Sequence, residues 1–138
     1  MAKFRSLAEI VVFVDDMDRA LAFYRDILGL KLFSPSHLPG KFLQVGEQGG
    51  ADGSSGVPQQ IVLVPRPKGM RRAGADRSER VLHHIGLEVA SDDYNTLRRM
   101  LVDLGLATRE GEHPFMPVEA FYVDDPDGNE VEIVRYRG

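Results

Sequence analysis

Cysteine is absent from the 138 residues. That excludes a disulfide framework, a cysteine nucleophile and a thiolate metal site, so any metal must be held by nitrogen and oxygen ligands. Long apolar runs are missing too. No stretch approaches the roughly 20 residues that a bilayer-spanning helix needs, and the N-terminus Met1-Ala2-Lys3-Phe4-Arg5 lacks the apolar centre of a signal peptide. A soluble, cytoplasmic protein without a membrane partner is expected. Positive charge is not in excess either: Lys+Arg 17 against Asp+Glu 21 leaves a net charge of −4, with a pI near 5.5, which argues against nucleic acid as a partner. The remaining composition is 43% hydrophobic and 28% charged, ordinary for a globular chain. The length suits one compact domain.

Apolar, β-branched Glu9-Ile10-Val11-Val12-Phe13-Val14 has the composition of a strand buried on both faces. Asp15 and Asp16 end it, and residues 17–28 follow with Ala20, Tyr24, Ile27 and Leu28 at helical spacing, an aspartate cap in front and Gly29 behind. Short strands are expected at 30–33 and 42–45, separated by a turn containing Pro35, Pro39 and Gly40. A loop spans 46–56. A further strand runs from Gln60 to Val64 and is closed by Pro65, which cannot donate to a continuing ladder.

Residues 65–80 carry Arg66, Lys68, Arg71, Arg72, Arg77 and Arg80 against Asp76 and Glu79, and form a basic linker that is most simply a solvated loop. Beyond it the pattern restarts. His84 to Val89 has strand composition, Ser91 to Asp93 can cap a helix, and Tyr94, Leu97, Leu101 and Leu104 lie at helical spacing before Gly105. Strands at 120–123 and 130–136 flank the turn Pro126-Asp127-Gly128-Asn129. Glu9-Ile10 and His84-Ile85 are 75 residues apart, and Leu28-Gly29-Leu30 and Leu104-Gly105-Leu106 are 76 apart. The chain is therefore an internal duplication of a β-α-β-β-β unit, an α+β fold with module one at about 7–64, the linker at about 65–80 and module two at about 81–138, all in a single domain.

Two such modules can curl their sheets into an open cleft, into which alternate strand residues project. Glu9 opens the first strand, His84 opens its second-module equivalent, and Glu132 sits between Val131 and Ile133 in the last strand. A buried charge is tolerated when paired or metal-bound, and one histidine with carboxylates suits Zn, Ni, Co, Mn or Fe(II). His83, next to His84, should point to the opposite face of its strand. The cluster Gly49, Gly50, Gly53 and Gly56 lacks the Gly-Lys-Ser/Thr ending of a phosphate loop and is read as a flexible connection. Phe23, Tyr24 and Leu28 are packing residues, and nothing positions His37 or His113.

Three segments resemble one family. Residues 14–30, from Val14-Asp15-Asp16-Met17-Asp18-Arg19-Ala20 to Ile27-Leu28-Gly29-Leu30, are similar to the first-helix signature of the vicinal oxygen chelate superfamily, which includes glyoxalases, bleomycin-resistance proteins and extradiol dioxygenases. Leu82-His83-His84-Ile85-Gly86-Leu87 resembles its second-module opening strand, and Asp125-Pro126-Asp127-Gly128-Asn129-Glu130-Val131-Glu132-Ile133 its closing turn and strand. The resemblance implies paired βαβββ modules forming a cleft, commonly in a homodimer, with metal ligands on the first and last strands of each module. His84 and Glu132 match the second-module ligands. Glu9 stands where many members have histidine, a departure from the His-His-Glu set of extradiol dioxygenases and fosfomycin-resistance enzymes. For the fourth ligand, aligning Gln60-Ile61-Val62 with Glu132-Ile133-Val134 selects Gln60, whereas aligning Leu63-Val64 with Ile133-Val134 selects Val62.

With Gln60, the set Glu9, Gln60, His84 and Glu132 resembles that of the glyoxalase I and methylmalonyl-CoA epimerase branches, which move protons next to a carbonyl. The implied mechanism has a divalent metal ion binding adjacent oxygens of a small-molecule substrate and stabilising an enediolate, with Glu132 or Glu9 as general base. Extradiol ring cleavage at Fe(II), thiol addition to an epoxide, and metal-free drug binding of the bleomycin-resistance type are the alternatives within the resemblance.

Overall fold

Burial alternates along β1, Glu9–Val14: Val12 and Val14 are 7% and 1% exposed, while Glu9, Val11 and Phe13 stand open. The strand therefore has one packed and one open face, not the two buried faces its apolar composition implies. This computed structural model describes residues 2–47, 56–70 and 77–137. The chain divides into two units, Met1–Met70 and Arg71–Gly138, with the boundary inside the basic stretch 65–80.

In the first unit, Asp16 adopts an extended conformation and its carboxylate accepts from the Arg19 backbone N–H at 3.1 Å, capping α1, Met17–Leu21. The helix then widens into a π-helical turn, Ala22–Ile27, where Leu28 N–H donates to the Phe23 carbonyl at 2.9 Å. Gly29, with φ +77, stops it in the left-handed region. The sequence thus marks both ends of this helix, while its second half winds more loosely than expected. Phe23 and Tyr24 are 3% and 0% exposed, with rings edge to face at 5.0 Å, so both are core residues. The strands β2, Lys31–Leu32, β3, Lys41–Gln44, and β4, Gln60–Pro65, complete a sheet of order β1-β4-β3-β2. β1 runs parallel to β4 and the other pairs are antiparallel.

The second unit repeats this topology. β5, Ile85–Glu88, leads through a 3-10 turn, Ser91–Asp93, into α2, Tyr94–Asp103. No side-chain hydrogen bond caps α2, so the capping role expected of Ser91 to Asp93 is not filled. β6, Thr108–Gly111, β7, Val118–Asp124, and β8, Glu130–Tyr136, give the order β5-β8-β7-β6. α2 buries Tyr94 and Leu101, and the Tyr94 ring meets Phe121 of β7 edge-on at 5.2 Å. The guanidinium of Arg98 lies over Phe121 at 5.3 Å and that of Arg135 over Tyr94 at 4.5 Å. Each fully buried Leu or Phe here contributes about 1.5–3 kcal/mol of transfer free energy.

The turn into β8 is built by Asp125. Its Oδ1 accepts from the backbone N–H of Asp127 at 2.9 Å and of Asn129 at 2.8 Å, and its Oδ2 from the Asn129 side-chain amide at 2.9 Å. The linker's described ends are tied down: Arg66 Nε reaches Asp15 Oδ1 at 2.7 Å, and Arg80 Nη1 donates to the Gly128 carbonyl at 2.7 Å. Arg71, Arg72 and Asp76 of the linker, and Gly49, Gly50 and Gly53 of the glycine cluster, lie outside the described residues.

Candidate functional site

In β8 the apolar neighbours Val131 and Ile133 face the packed side, so strand alternation sends Glu130 and Glu132 to the other face. Neither is the surface carboxylate that an acidic alternation implies. They are 7% and 8% exposed, and each has a defined partner. Arg109 Nη2 bridges Asp124 Oδ1 at 2.8 Å and Glu130 Oε1 at 2.9 Å. Glu132 Oε2 instead meets His84 Nε2 at 2.8 Å. A carboxylate this buried is tolerated because it is paired. Gly86 is the partner of Glu132 in the β5–β8 ladder, and a Cβ there would meet Glu132 Oε2 at 3.8 Å, an ordinary van der Waals contact.

His84 lies just before β5 and not within it, so strand alternation does not govern His83 and His84. Contrary to the expectation that they face opposite sides, their rings pack edge-on at 5.0 Å with the two Nδ1 atoms 2.7 Å apart, one donating and the other accepting. Both nitrogens of His84 are thus engaged, Nδ1 by His83 and Nε2 by Glu132. Beside His83, a pocket of about 210 Å³ is lined by Arg80, Val81, Leu82, His83 and Glu130. His113, to which the sequence assigned no role, accepts at Nδ1 from the backbone of Phe115 at 3.3 Å and Met116 at 3.0 Å, and so shapes a loop.

Tyr122 is the residue that sequence reasoning missed. It is the ladder partner of Glu132 in β7, and its ring meets His84 edge-on at 5.4 Å. Burial, then the negative charge of Glu132 and a hydrogen bond to it, push the Tyr122 phenol above its ordinary range. Its in-phase alternation with Ala120 and Asp124 was visible, but which strand it pairs with was not.

The first unit holds the other two candidates. Glu9 and Gln60 are Cα partners across the β1–β4 ladder, which puts them side by side on one face. Glu9 is exposed. Gln60 Oε1 is buried and has no hydrogen-bond partner among the described residues. The ladder registers also address the choice between Gln60 and Val62. Ile10 pairs with Ile61 and Ile85 with Val131, so Val62 occupies the place of Glu132 and Gln60 that of Glu130. Val62 has no donor atom, however, and the amide of Gln60 is the polar group of this strand.

The structure therefore joins His84 with Glu132 and Glu9 with Gln60, each pair within its own unit. Among the described residues, no group of three or more His, Cys, Asp or Glu is gathered in a way that holds a metal ion. The donor chemistry nevertheless fits one. An imidazole nitrogen and a carboxylate oxygen 2.8 Å apart can share an ion with bonds of about 2.1 Å each.

Residues 6–133 match the sequence model of the Glyoxalase/Bleomycin resistance protein/Dioxygenase superfamily. The chain belongs to this superfamily. As a member of it, the protein is 28% identical over 127 residues to a lactoylglutathione lyase from Haemophilus influenzae, an alignment covering 88% of this chain and 85% of that relative. A glyoxalase/dioxygenase from Nostoc punctiforme shares its fold with a TM-score of 0.70 at 18% identity, covering 97% of this chain and 92% of that one. A genomically encoded fosfomycin resistance protein from Listeria monocytogenes superposes with a TM-score of 0.63 at 16% identity, covering 96% and 94%. At these identities the structural likeness is one of fold. Members of the superfamily are typically metal-dependent, bind small-molecule substrates and commonly form dimers. No helix among the described residues is long and apolar enough to cross a membrane.

Proposed function

We propose that this superfamily member is a divalent-metal-dependent enzyme of the lyase or isomerase type, acting on a small substrate with adjacent oxygens by moving a proton next to a carbonyl. The observation that carries this reading is the contact of His84 Nε2 with the buried Glu132 Oε2 at 2.8 Å. His84 and Glu132 hold the cation in this proposal, and Glu9 and Gln60 are the donor pair of the other unit. When bound, Zn, Ni, Co, Mn or Fe(II) supplies Lewis-acid polarisation of a substrate carbonyl. The chain itself supplies a carboxylate to take the proton. Glu132 is the first choice, because its surroundings are largely dry and its orientation is set by His84, and Glu9 is the second.

The test is elemental analysis of the purified protein after exposure to each of the five metals and desalting, with His84→Ala alongside. Near-stoichiometric metal in the wild type and its loss in the variant are expected. Retained nickel, cobalt or zinc directs the substrate screen to hemithioacetals and acyl-CoA esters, and retained iron to catechol ring cleavage. If neither protein retains any metal, the enzyme reading fails and drug binding in the manner of bleomycin-resistance proteins replaces it.

A further inference from the structure

Gly111 in β6 has an ordinary negative-φ backbone, since it is not among the glycines with positive φ, so conformational freedom does not explain a glycine there. Space does. A Cβ at Gly111 would lie 2.6 Å from Tyr122 Cε2, 3.1 Å from Tyr122 Cδ2 and 3.3 Å from Ala120 Cβ, the first a separation that real Cβ atoms essentially never show. The aromatic ring of Tyr122 thus lies on a floor made by the missing side chain of Gly111 and the small one of Ala120. The β7–β8 register carries the ring on the same face as Glu132, where its edge meets His84 at 5.4 Å.

We propose that Tyr122 is a positioning residue: seated over Gly111, it holds its hydroxyl against the Glu132 carboxylate and so orients that carboxylate toward His84. A carboxylate with one hydrogen bond from a neighbouring strand has fewer accessible rotamers, and groups behind a metal ligand set its orientation and affinity. The inference rests on the reading of Glu132 as a ligand given above. Tyr122 itself is not a ligand. Its ring is placed by packing, and its hydroxyl acts only through Glu132.

Co(II) titration of the wild type, Tyr122→Phe, Gly111→Ala and the double variant, followed by the d–d absorption of the bound ion, tests the idea. Tyr122→Phe keeps the ring and the packing but removes the hydroxyl. It is expected to weaken Co(II) binding about tenfold or more and to shift the d–d bands, with far-UV circular dichroism unchanged. Gly111→Ala displaces the ring and is expected to give the same spectral change, and the double variant to bind no worse than the weaker single one. A Tyr122→Phe protein with wild-type affinity and spectrum overturns the proposal, as do losses that multiply in the double variant. If the wild type takes up no Co(II), the metal reading has failed and Tyr122 is judged in the metal-free protein. There, Tyr122→Phe should move the imidazole nitrogen resonance of His84 Nε2 while leaving that of His37 in place, and an unmoved His84 resonance overturns the positioning role.

Discussion

His84 and Glu132 meet because one stands at the mouth of β5 and the other in the middle of the adjacent β8. His83 enters the same cluster through its Nδ1 contact at 2.7 Å, which changes what is expected of it. A histidine ligand is oriented by whatever its second nitrogen binds, and loss of such a partner costs about 10–100-fold in metal affinity. His83→Ala should therefore bind metal more weakly than the wild type yet better than His84→Ala, as measured by competition with a chelator. Equal affinity in His83→Ala and the wild type would show the contact to be inert. A second residue-scale prediction concerns Glu119. Hydrogen bonds from Arg135, at 2.8 and 2.5 Å, lead the causes that hold its carboxyl below the ordinary range. Because its pKa is lowered in the folded state, Glu119 stabilises the fold above the ordinary carboxylate value, and that contribution disappears as the pH falls through the lowered value. Thermal melts of wild type and Glu119→Gln should differ at pH 7, and the gap should shrink as the pH falls below the ordinary carboxylate range. A gap of constant size across that range would contradict the assignment.

At the scale of elements, α2 shows how one buried face decides stability. Leu101 is 0% exposed, and Phe121 in β7 is equally buried. Leu101→Ala should cost about 2–5 kcal/mol, through lost transfer free energy and the cavity left behind, measurable by urea unfolding. A cost under about 1 kcal/mol would mean that the site collapses on truncation. Elements with strong local signals were legible: the Asp16 cap and Gly29 stop bracket the first helix, and the Asp125 turn introduces β8 on the expected residues 130–136. Weaker signals misled. The apolar run of β1 conceals an open face carrying Val11 and Phe13, 50% and 40% exposed. The π-helical turn, in which Phe23 and Tyr24 are buried, has no mark in the apolar spacing.

The two units repeat one topology, with strand orders β1-β4-β3-β2 and β5-β8-β7-β6, as the 75-residue offset in the sequence implies. We propose that the whole chain nevertheless behaves as a single domain. Leu43→Ala in the first unit and Leu101→Ala in the second, each at a fully buried position, should then shift one common unfolding transition. Two separate transitions, each moved by one substitution alone, would refute this. Assembly as a homodimer is proposed on the same scale, and sedimentation equilibrium giving the mass of a single chain would reject it.

The sequence by itself determined the order of the elements and the duplication and supplied the candidate donors, because cap, turn and apolar-period signals act within a few residues of chain and family motifs are linear. Tertiary structure alone decided which donors meet. Ladder register set Val62 in the place of Glu132 and left Gln60 as the polar group beside Glu9. β5 begins after His84, where His83 meets its neighbour through Nδ1, and the β7–β8 ladder pairs Tyr122 with Glu132. These contacts join residues up to 51 positions apart, as with Glu9 and Gln60, and 48 apart in His84 and Glu132. Strand pairing and side-chain volume govern them, and neither is written in any one segment of the chain.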